Sequence, residues 1–430
     1  MIGGSARSAS PLDHERLGDM NRKFIDAWTV TAAAAVLLAI AWGSRASFGL
    51  FFSPLNTTTG LGMATISLAG AVSQLGSGIA QPLVGAAGDR FGTPRVIVVG
   101  GLLTAAVTAL VTVVDSAAGL MFAFLLLAVG GTAVGSNALL LAAVSRDASP
   151  QHRGLALGIV GAGGSAGQLI VAPSVQATIA TAGWIPAMYV LAALALLALP
   201  LSRAFDPRPE SSGVAPPAPV EVRDAWVDPN FWLICGGFFV CGFHVSFLLA
   251  HMPGQIELCG LPASLSGQWI AVVGACNVIG SLAAGAAIER VSMKHLLASL
   301  YALRALGVAL FLAAPKNEAT MLVFAVWMGL TYMATLAPTS GLVGKLFGTH
   351  RLATLFGVVM LLHQVGAFLG VWLGGVALEA TGSLDWIWYA DIALAVIAVA
   401  LHLPIREDPS APRTNASVVV VGPRSATAGS

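Results

Sequence analysis

The sequence is written in long apolar runs. Twelve stretches of about 20 residues or more, nearly free of charge, recur about every 30 residues along the 430-residue chain. A helix needs about 20 apolar residues to cross the hydrocarbon core of a bilayer. Only helices and closed barrels keep every backbone polar group bonded in lipid. Barrel strands would be about 10 residues long, with polar positions facing inward. These runs are longer and rich in Ala and Leu, so they predict helices. Composition points the same way: 10% of residues are charged, against about 25% in a soluble domain. A water-facing surface cannot be built from this chain. The expected fold class is an all-α membrane protein. The first six spans are read at 26–52, 62–87, 95–114, 119–144, 152–178 and 184–203. The second six are read at 229–252, 264–288, 294–314, 319–343, 351–378 and 385–405.

The basic residues test that count. With both termini on the cytoplasmic side, 18 of the 21 Lys and Arg fall in cytoplasmic segments, among them Arg90, Arg95, Arg153, Arg290 and Lys345. The external loops hold Lys316 alone, and Arg45 and Arg304 lie inside spans. This is the bias the positive-inside rule requires, and one missed helix would scramble it. The first 20 residues are polar and mixed in charge, unlike a secretory signal. A formal net charge of +1 and the lack of a basic patch give no reason to expect nucleic acid. Cys235, Cys241, Cys259 and Cys276 show no metal-binding spacing, and neither a metal nor another cofactor is expected.

Residues 204–228 are rich in Pro, Ser and alternating charge, which marks a linker. They divide the chain into a tail at 1–25, a six-helix bundle at 26–203, a second bundle at 229–405 and a tail at 406–430 expected to be disordered. The bundles repeat at an offset of about 200. Residues 85–90 (GAAGDR) answer 285–290 (GAAIER), and His152-Arg153 answers His350-Arg351. LALP at 197–200 answers LHLP at 401–404, and Gly43, Ser47 and Phe48 answer Gly242, Ser246 and Phe247. Four matches in the same order mark a parallel duplication.

The loop after the second span reads Gly85-Ala-Ala-Gly-Asp89-Arg90-Phe-Gly92-Thr-Pro-Arg95. It resembles the signature loop of the major facilitator superfamily, G-x-x-x-D-R-x-G-x-x-R. That resemblance implies a major facilitator fold: twelve transmembrane helices in two six-helix bundles with both termini cytoplasmic, working by alternating access. In the family this loop locks the outward-open state, so Gly85, Asp89, Arg90 and Arg95, with Glu289 and Arg290 of the second copy, are the expected gate. The residues suit the task. Gly85 permits close helix packing, Asp89 at a helix end can cap a neighbouring helix, and the two arginines favour the anionic cytoplasmic face.

The fifth span, from Arg153 through its Gly-Ala-Gly-Gly-Ser-Ala-Gly-Gln168 run to Pro173, resembles the bacterial monocarboxylate-porter branch, which includes oxalate–formate antiporter-like proteins. Arg45 before Ala-Ser-Phe-Gly-Leu-Phe-Phe is similar to a basic residue of that branch on its first helix. The branch also carries Asp and Arg four residues apart on its eighth helix. Here those positions are Asn277 and Ser281, so that anion-binding arginine is missing from its usual place.

A charge at mid-bilayer costs at least about 2.5–3.5 kcal/mol on insertion scales, so each needs a reason. Arg45 offers a fork of donors suited to a carboxylate. The repeat sets His244 opposite Arg45, and the expectation is that the two face each other across the pseudo-two-fold axis. His363 and Gln364 break the symmetry, standing where the first half has Gly164 and Ser165. Asn137, Gln168, Asn277 and Tyr332 complete the candidate substrate set. Gln74 is a further polar group on the second span. Each of these is equally suited to bonding neighbouring helices together.

Arg304 and Asp391 lie about 15 and about 21 Å from the cytoplasmic ends of their helices, at ~1.5 Å per residue. A buried Arg304–Asp391 ion pair is expected to hold the second bundle together, its rival being a protonation site at Asp391. With no enzyme motif and no phosphate loop, the expected function is gradient-driven transport of a small organic anion, a monocarboxylate above all. Its expected partners are that anion, the bilayer and a co-transported proton. The expected setting is the plasma membrane of a bacterium, as a monomer. Export of drug-like compounds and a transport-inactive sensor are the competing readings.

Overall fold

A computed structural model describes residues 11–149, 151–205, 223–348 and 351–407. Most of the expected linker and C-terminal tail, and His350 of the repeat, lie outside the described residues. Within them are twelve helices long and apolar enough to cross a membrane. They are α1 (Ala27–Thr59), α2 (Met63–Phe91), α3 (Thr93–Val111), α4 (Ala117–Asp147), α5 (Arg153–Ala182) and α6 (Trp184–Ala204). The second six are α7 (Pro229–Leu258), α8 (Ser264–Ala287), α9 (Met293–Ala313), α10 (Glu318–Phe347), α11 (Thr354–Thr381) and α12 (Asp385–His402). Each apolar run has become one helix. The helix containing α1 begins at Pro11, inside the stretch read as a tail. At its other end α1 runs seven residues past its expected limit. Thr57, Thr58 and Thr59 return their hydroxyls to the carbonyls of Ser53, Pro54 and Leu55, so a polar sequence continues the helix until Gly60 ends it at φ +65°.

The duplication is visible in the packing. On α1, Gly43 lies against the Gly167 carbonyl and Val171 of α5, and Gly167 lies against the backbone of Ala39. On α7, Gly242 lies against the His363 carbonyl of α11, and Gly366 lies against Phe239. Gly43 and Gly242 are repeat mates, as are Gly167 and Gly366. No side chain fits at these crossings, which is how small residues bring membrane helices together. The second half adds an aromatic core, with Phe311 and Phe324 centred 4.3 Å apart and Trp388 set against Phe247 at 4.7 Å.

The halves meet along two seams, α2 with α11 and α5 with α8. Both are closed toward the side with few basic residues. Gly375 presses on Ser67 and Met63, and Gly267 on Pro173 and Gln176. The tips of α1 and α7 meet there too, with Gly49 against the Leu249 and Ala250 carbonyls. Toward the Lys/Arg-rich side the seams part. Gly85, Gly154, Gly158, Gly161, Gly285 and Gly357 have open space where a side chain would stand. The basic side is cytoplasmic by the positive-inside rule, so this is an inward-open arrangement.

One carboxylate fastens the external seal. Glu379, at the outer end of α11, accepts from the backbone N–H of Ala64 at 2.7 Å. It thus caps the N-terminus of α2 across the seam, where the helix dipole favours an anion. Gly62 leaves the room that this carboxylate needs. Glu379→Ala should raise the externally open population about twofold to fivefold, the range for one exposed charge at a helix end. Spin labels at Leu61 and Ser383 would report it as a gain of long distances in pulsed dipolar spectra. Unchanged distributions would remove Glu379 from the seal.

Candidate substrate site

The polar groups of both halves collect where the seams meet at mid-membrane. Arg45 on α1 is half-buried. Its Nη1 donates to Ser77 Oγ at 3.1 Å and its Nη2 donates to Gln74 Oε1, both acceptors on α2. Gln74 and Ser77 are three residues apart and so share a helix face. Gln74 Nε2 crosses to α7 and donates to Ser246 Oγ at 3.4 Å. From α11, Gln364 Nε2 donates to the Gln74 carbonyl at 2.9 Å, and its Oε1 lies 3.1 Å from His363 Nδ1. Arg45, Gln364 and His363 are thereby joined into one chain through Gln74.

The other seam carries its own bond. Asn277 Nδ2 on α8 donates to Ser165 Oγ on α5 at 2.9 Å. Ser165 and Gln364 are repeat mates, so one pair of equivalent positions stitches both seams. Asn277 Oδ1 also accepts from the Met333 N–H at 3.0 Å. Gln168 is buried beside the Tyr332 hydroxyl, which lies within electrostatic reach of Arg45. Six of the expected substrate residues, Arg45, Gln168, Asn277, Tyr332, His363 and Gln364, therefore share this region. Asn137 does not join them. It is exposed at a break in α4 and makes no side-chain hydrogen bond among the described residues.

Two expectations are corrected. His244 does not face Arg45. It is buried within the second half, its Nδ1 meeting Asp391 Oδ2 at 2.6 Å and its Nε2 lying 3.3 Å from Met328 Sδ. The residue that reaches the Arg45 chain is Ser246. Residues two apart on a helix point about 200° apart, so repeat alignment gave the right segment of α7 and the wrong face. The expected Arg304–Asp391 pair is also not formed. Asp391 has taken His244, in a close contact rather than an aligned hydrogen bond.

Arg304 is drawn elsewhere by a break in α10. The helix stops at Tyr332 and resumes at Leu336. A break at this depth frees carbonyls that lipid cannot satisfy. Arg304 Nη2 donates to the Thr331 carbonyl and, at 2.7 Å, to the Tyr332 carbonyl. Its Nη1 lies 3.4 Å from Cys241 Sγ, and Tyr301 lies beneath the guanidinium. Asn277 holds the break from the opposite side. Pro338 is its signal in the sequence: lacking an N–H, it leaves the Ala334 carbonyl without a helical donor and its ring crowds that turn.

The signature-loop residues stand free of the second half. Asp89 and Arg90 are exposed, Arg90 lies over Phe91, and Arg95 Nη1 reaches the Phe91 carbonyl at 3.4 Å. Glu289 and Arg290 are exposed as well. Among the described residues no group of His, Cys, Asp and Glu could hold a metal ion.

Arg304→Met should lower stability by about 1–3 kcal/mol for each carbonyl it strands, read as a fall in thermal midpoint in detergent. Arg304→Lys should recover only part of that, because an ammonium lacks the planar fork. Equal midpoints for Arg304→Met and the parent would show that the α10 break needs no partner.

The chain has relatives. The family model of the Major Facilitator Superfamily matches residues 34–291 and 260–426. Monocarboxylate transporter 13 of Rattus norvegicus is 25% identical over 395 residues, covering 88% of this chain and 89% of its own. Monocarboxylate transporter 11 of Homo sapiens is 29% identical over 378 residues, covering 83% and 78%. Among solved structures, a bacterial homolog of the human lysosomal transporter Spinster, in an inward-facing and occupied conformation, superposes with a TM-score of 0.73 at 15% identity, covering 87% of this chain and 95% of its own. A twelve-helix duplication with this signature loop, matched along most of its length, belongs to the major facilitator superfamily.

Proposed function

We propose that the protein is a secondary transporter that moves a small organic monoanion across the plasma membrane of a bacterium by alternating access, as a monomer. The observation that carries this reading is a charge count. Three charged side chains lie deep in the membrane-spanning region: Arg45, Arg304 and Asp391. Arg304 and Asp391 are buried together in the second half and offset each other, with His244 on the carboxylate. Arg45 remains, bonded only to neutral oxygens and placed between the halves. A site with one uncompensated cation suits one carboxylate. A dianion would bring a second carboxylate into a region where Ser281 stands in place of the branch-typical arginine, and a buried unpaired charge is strongly unfavourable.

His363 supplies the titratable group. It sits beside Gln364, one bond from the Arg45 chain. A proton carried on its imidazole would accompany the anion, so that anion and proton together move no net charge. The relatives named monocarboxylate transporters support the substrate class. The loop at Gly85–Arg95 and its second copy at Glu289-Arg290 serve as the cytoplasmic gate, re-engaging when that side closes.

Proteoliposomes with labelled lactate, formate, oxalate and succinate, with and without a pH gradient, test this reading. Lactate or formate should accumulate and the dicarboxylates should not. Acid outside should speed uptake, because a proton bound on the outer side enters with the anion. Arg45→Gln should abolish uptake in folded protein, and His363→Gln should abolish the acceleration by acid. Preference for oxalate or succinate would break the charge argument. Binding of lipophilic cations without carboxylate uptake would replace the reading with export of drug-like compounds.

A further inference from the structure

Arg45 does not stand bare. Its Nη2 donates to the side-chain oxygen of Gln74, and its Nη1 donates to Ser77. A carboxamide oxygen has the geometry of a carboxylate oxygen without the charge. The nitrogen of the same amide leaves the first half altogether and donates to Ser246 Oγ on α7 at 3.4 Å. The backbone carbonyl of Gln74 is held from α11 by Gln364 Nε2 at 2.9 Å. One residue therefore touches the anion site with one atom and the opposite half with two others.

We propose that Gln74 is a surrogate ligand of Arg45 and the tie through which anion binding is felt at the seam between the halves. The proposal rests on Arg45 being the anion site. An arriving carboxylate is charged and can accept from two N–H groups of the guanidinium fork, so it outcompetes a neutral amide. Once the amide oxygen leaves Arg45, the side chain loses the anchor that aims its nitrogen at Ser246. Binding thus loosens the contact of α2 with α7 at substrate level. The empty protein, with the tie made, keeps its external side shut. A ligand shifts a conformational equilibrium only if it interacts differently with the two states, and Gln74 supplies that difference. It also keeps the guanidinium hydrogen-bonded whenever the site is empty.

Three variants separate the roles. Gln74→Ala frees Arg45 and cuts the tie. Gln74→Glu sets a permanent carboxylate on Arg45. Ser246→Ala cuts the tie alone. The binding probe is lactate, titrated into purified protein by calorimetry. The conformational probe is Ser67→Cys in a Cys259→Ser background, labelled by a membrane-impermeant maleimide outside right-side-out vesicles. Ser67 is fully buried in the external seal.

Gln74→Ala should bind lactate about threefold to tenfold more tightly, the range of one displaced hydrogen bond. Gln74→Glu should bind it at least about 30-fold more weakly, because a like charge holds the place. Without lactate, both Gln74→Ala and Ser246→Ala should label about threefold to tenfold faster than the parent. Ser246→Ala should also tighten lactate binding, by less than Gln74→Ala does, because binding then breaks no tie but still displaces the amide. If Gln74→Ala misfolds, Gln74→Met keeps the volume and carries the same expectations. Weaker lactate binding in folded Gln74→Ala would overturn the surrogate role, and unchanged labelling in both tie variants would overturn the tie. Failure of the parent itself to bind lactate would overturn the anion reading of Arg45, and the surrogate role with it.

Discussion

A polar group inside a bilayer must find its partner within the protein. In this chain that demand shapes every departure from a plain bundle of apolar helices. The break in α10 shows it most directly. The carbonyls of Thr331 and Tyr332 lose their helical donors, and a fully buried arginine from α9 supplies N–H groups in their place. Asn277 takes the freed N–H of Met333 from the other side. Holding the break in this way fixes the last turn before it, which carries Tyr332. An arginine outside the substrate region thus sets the position of a residue inside it. The same arginine balances Asp391, and the imidazole of His244 meets that carboxylate. The second half thus carries a buried charged cluster where the first half has only Thr104 at the position repeating Arg304, with an unpaired buried hydroxyl.

The same demand explains how the halves can separate. Their seams hold few polar contacts, and those are neutral at mid-membrane. Asn277 with Ser165 and Gln364 with the Gln74 carbonyl are single hydrogen bonds. Each is worth about 0.5–1.5 kcal/mol net, strong enough to align a seam and weak enough to release it. A buried ion pair across the midplane would have been much harder to part. The fixed charges lie within a half, as with Asp391, or at the water-facing end of a seam, as with Glu379. Distribution of charge, more than its amount, is what allows alternating access.

The fold was legible because its determinants are local or additive. Each span carries its own apolar run, and the basic residues fix sidedness by position alone. The limits that failed, such as the outer end of α1, failed where threonine hydroxyls bonded back onto their own helix. The site was legible as a list of polar residues and not as a set of bonds. Repeat alignment located the segment of α7 facing Arg45 but chose His244 over Ser246, because an alignment assigns rows and does not rotate a helix. The Arg304–Asp391 pairing went wrong for a related reason. Depth in the membrane showed that the two charges could meet, whereas the choice of partner depended on carbonyls freed by the break ahead of Pro338, which depth alone does not place.

Gln74 shows why neutral residues are the hardest to read. Charges in a membrane announce themselves by their energy, and an amide does not. Its importance comes from having a donor and an acceptor about 2.3 Å apart on one planar group, which lets it face two helices at once. Arg45 needs an acceptor when the site is empty, and α7 needs a donor when the external side is shut. A serine or an asparagine on α2 would be too short to meet both, and a glutamate would hold the guanidinium permanently. The neutrality that hides Gln74 in the sequence is therefore what suits it to give way to an anion.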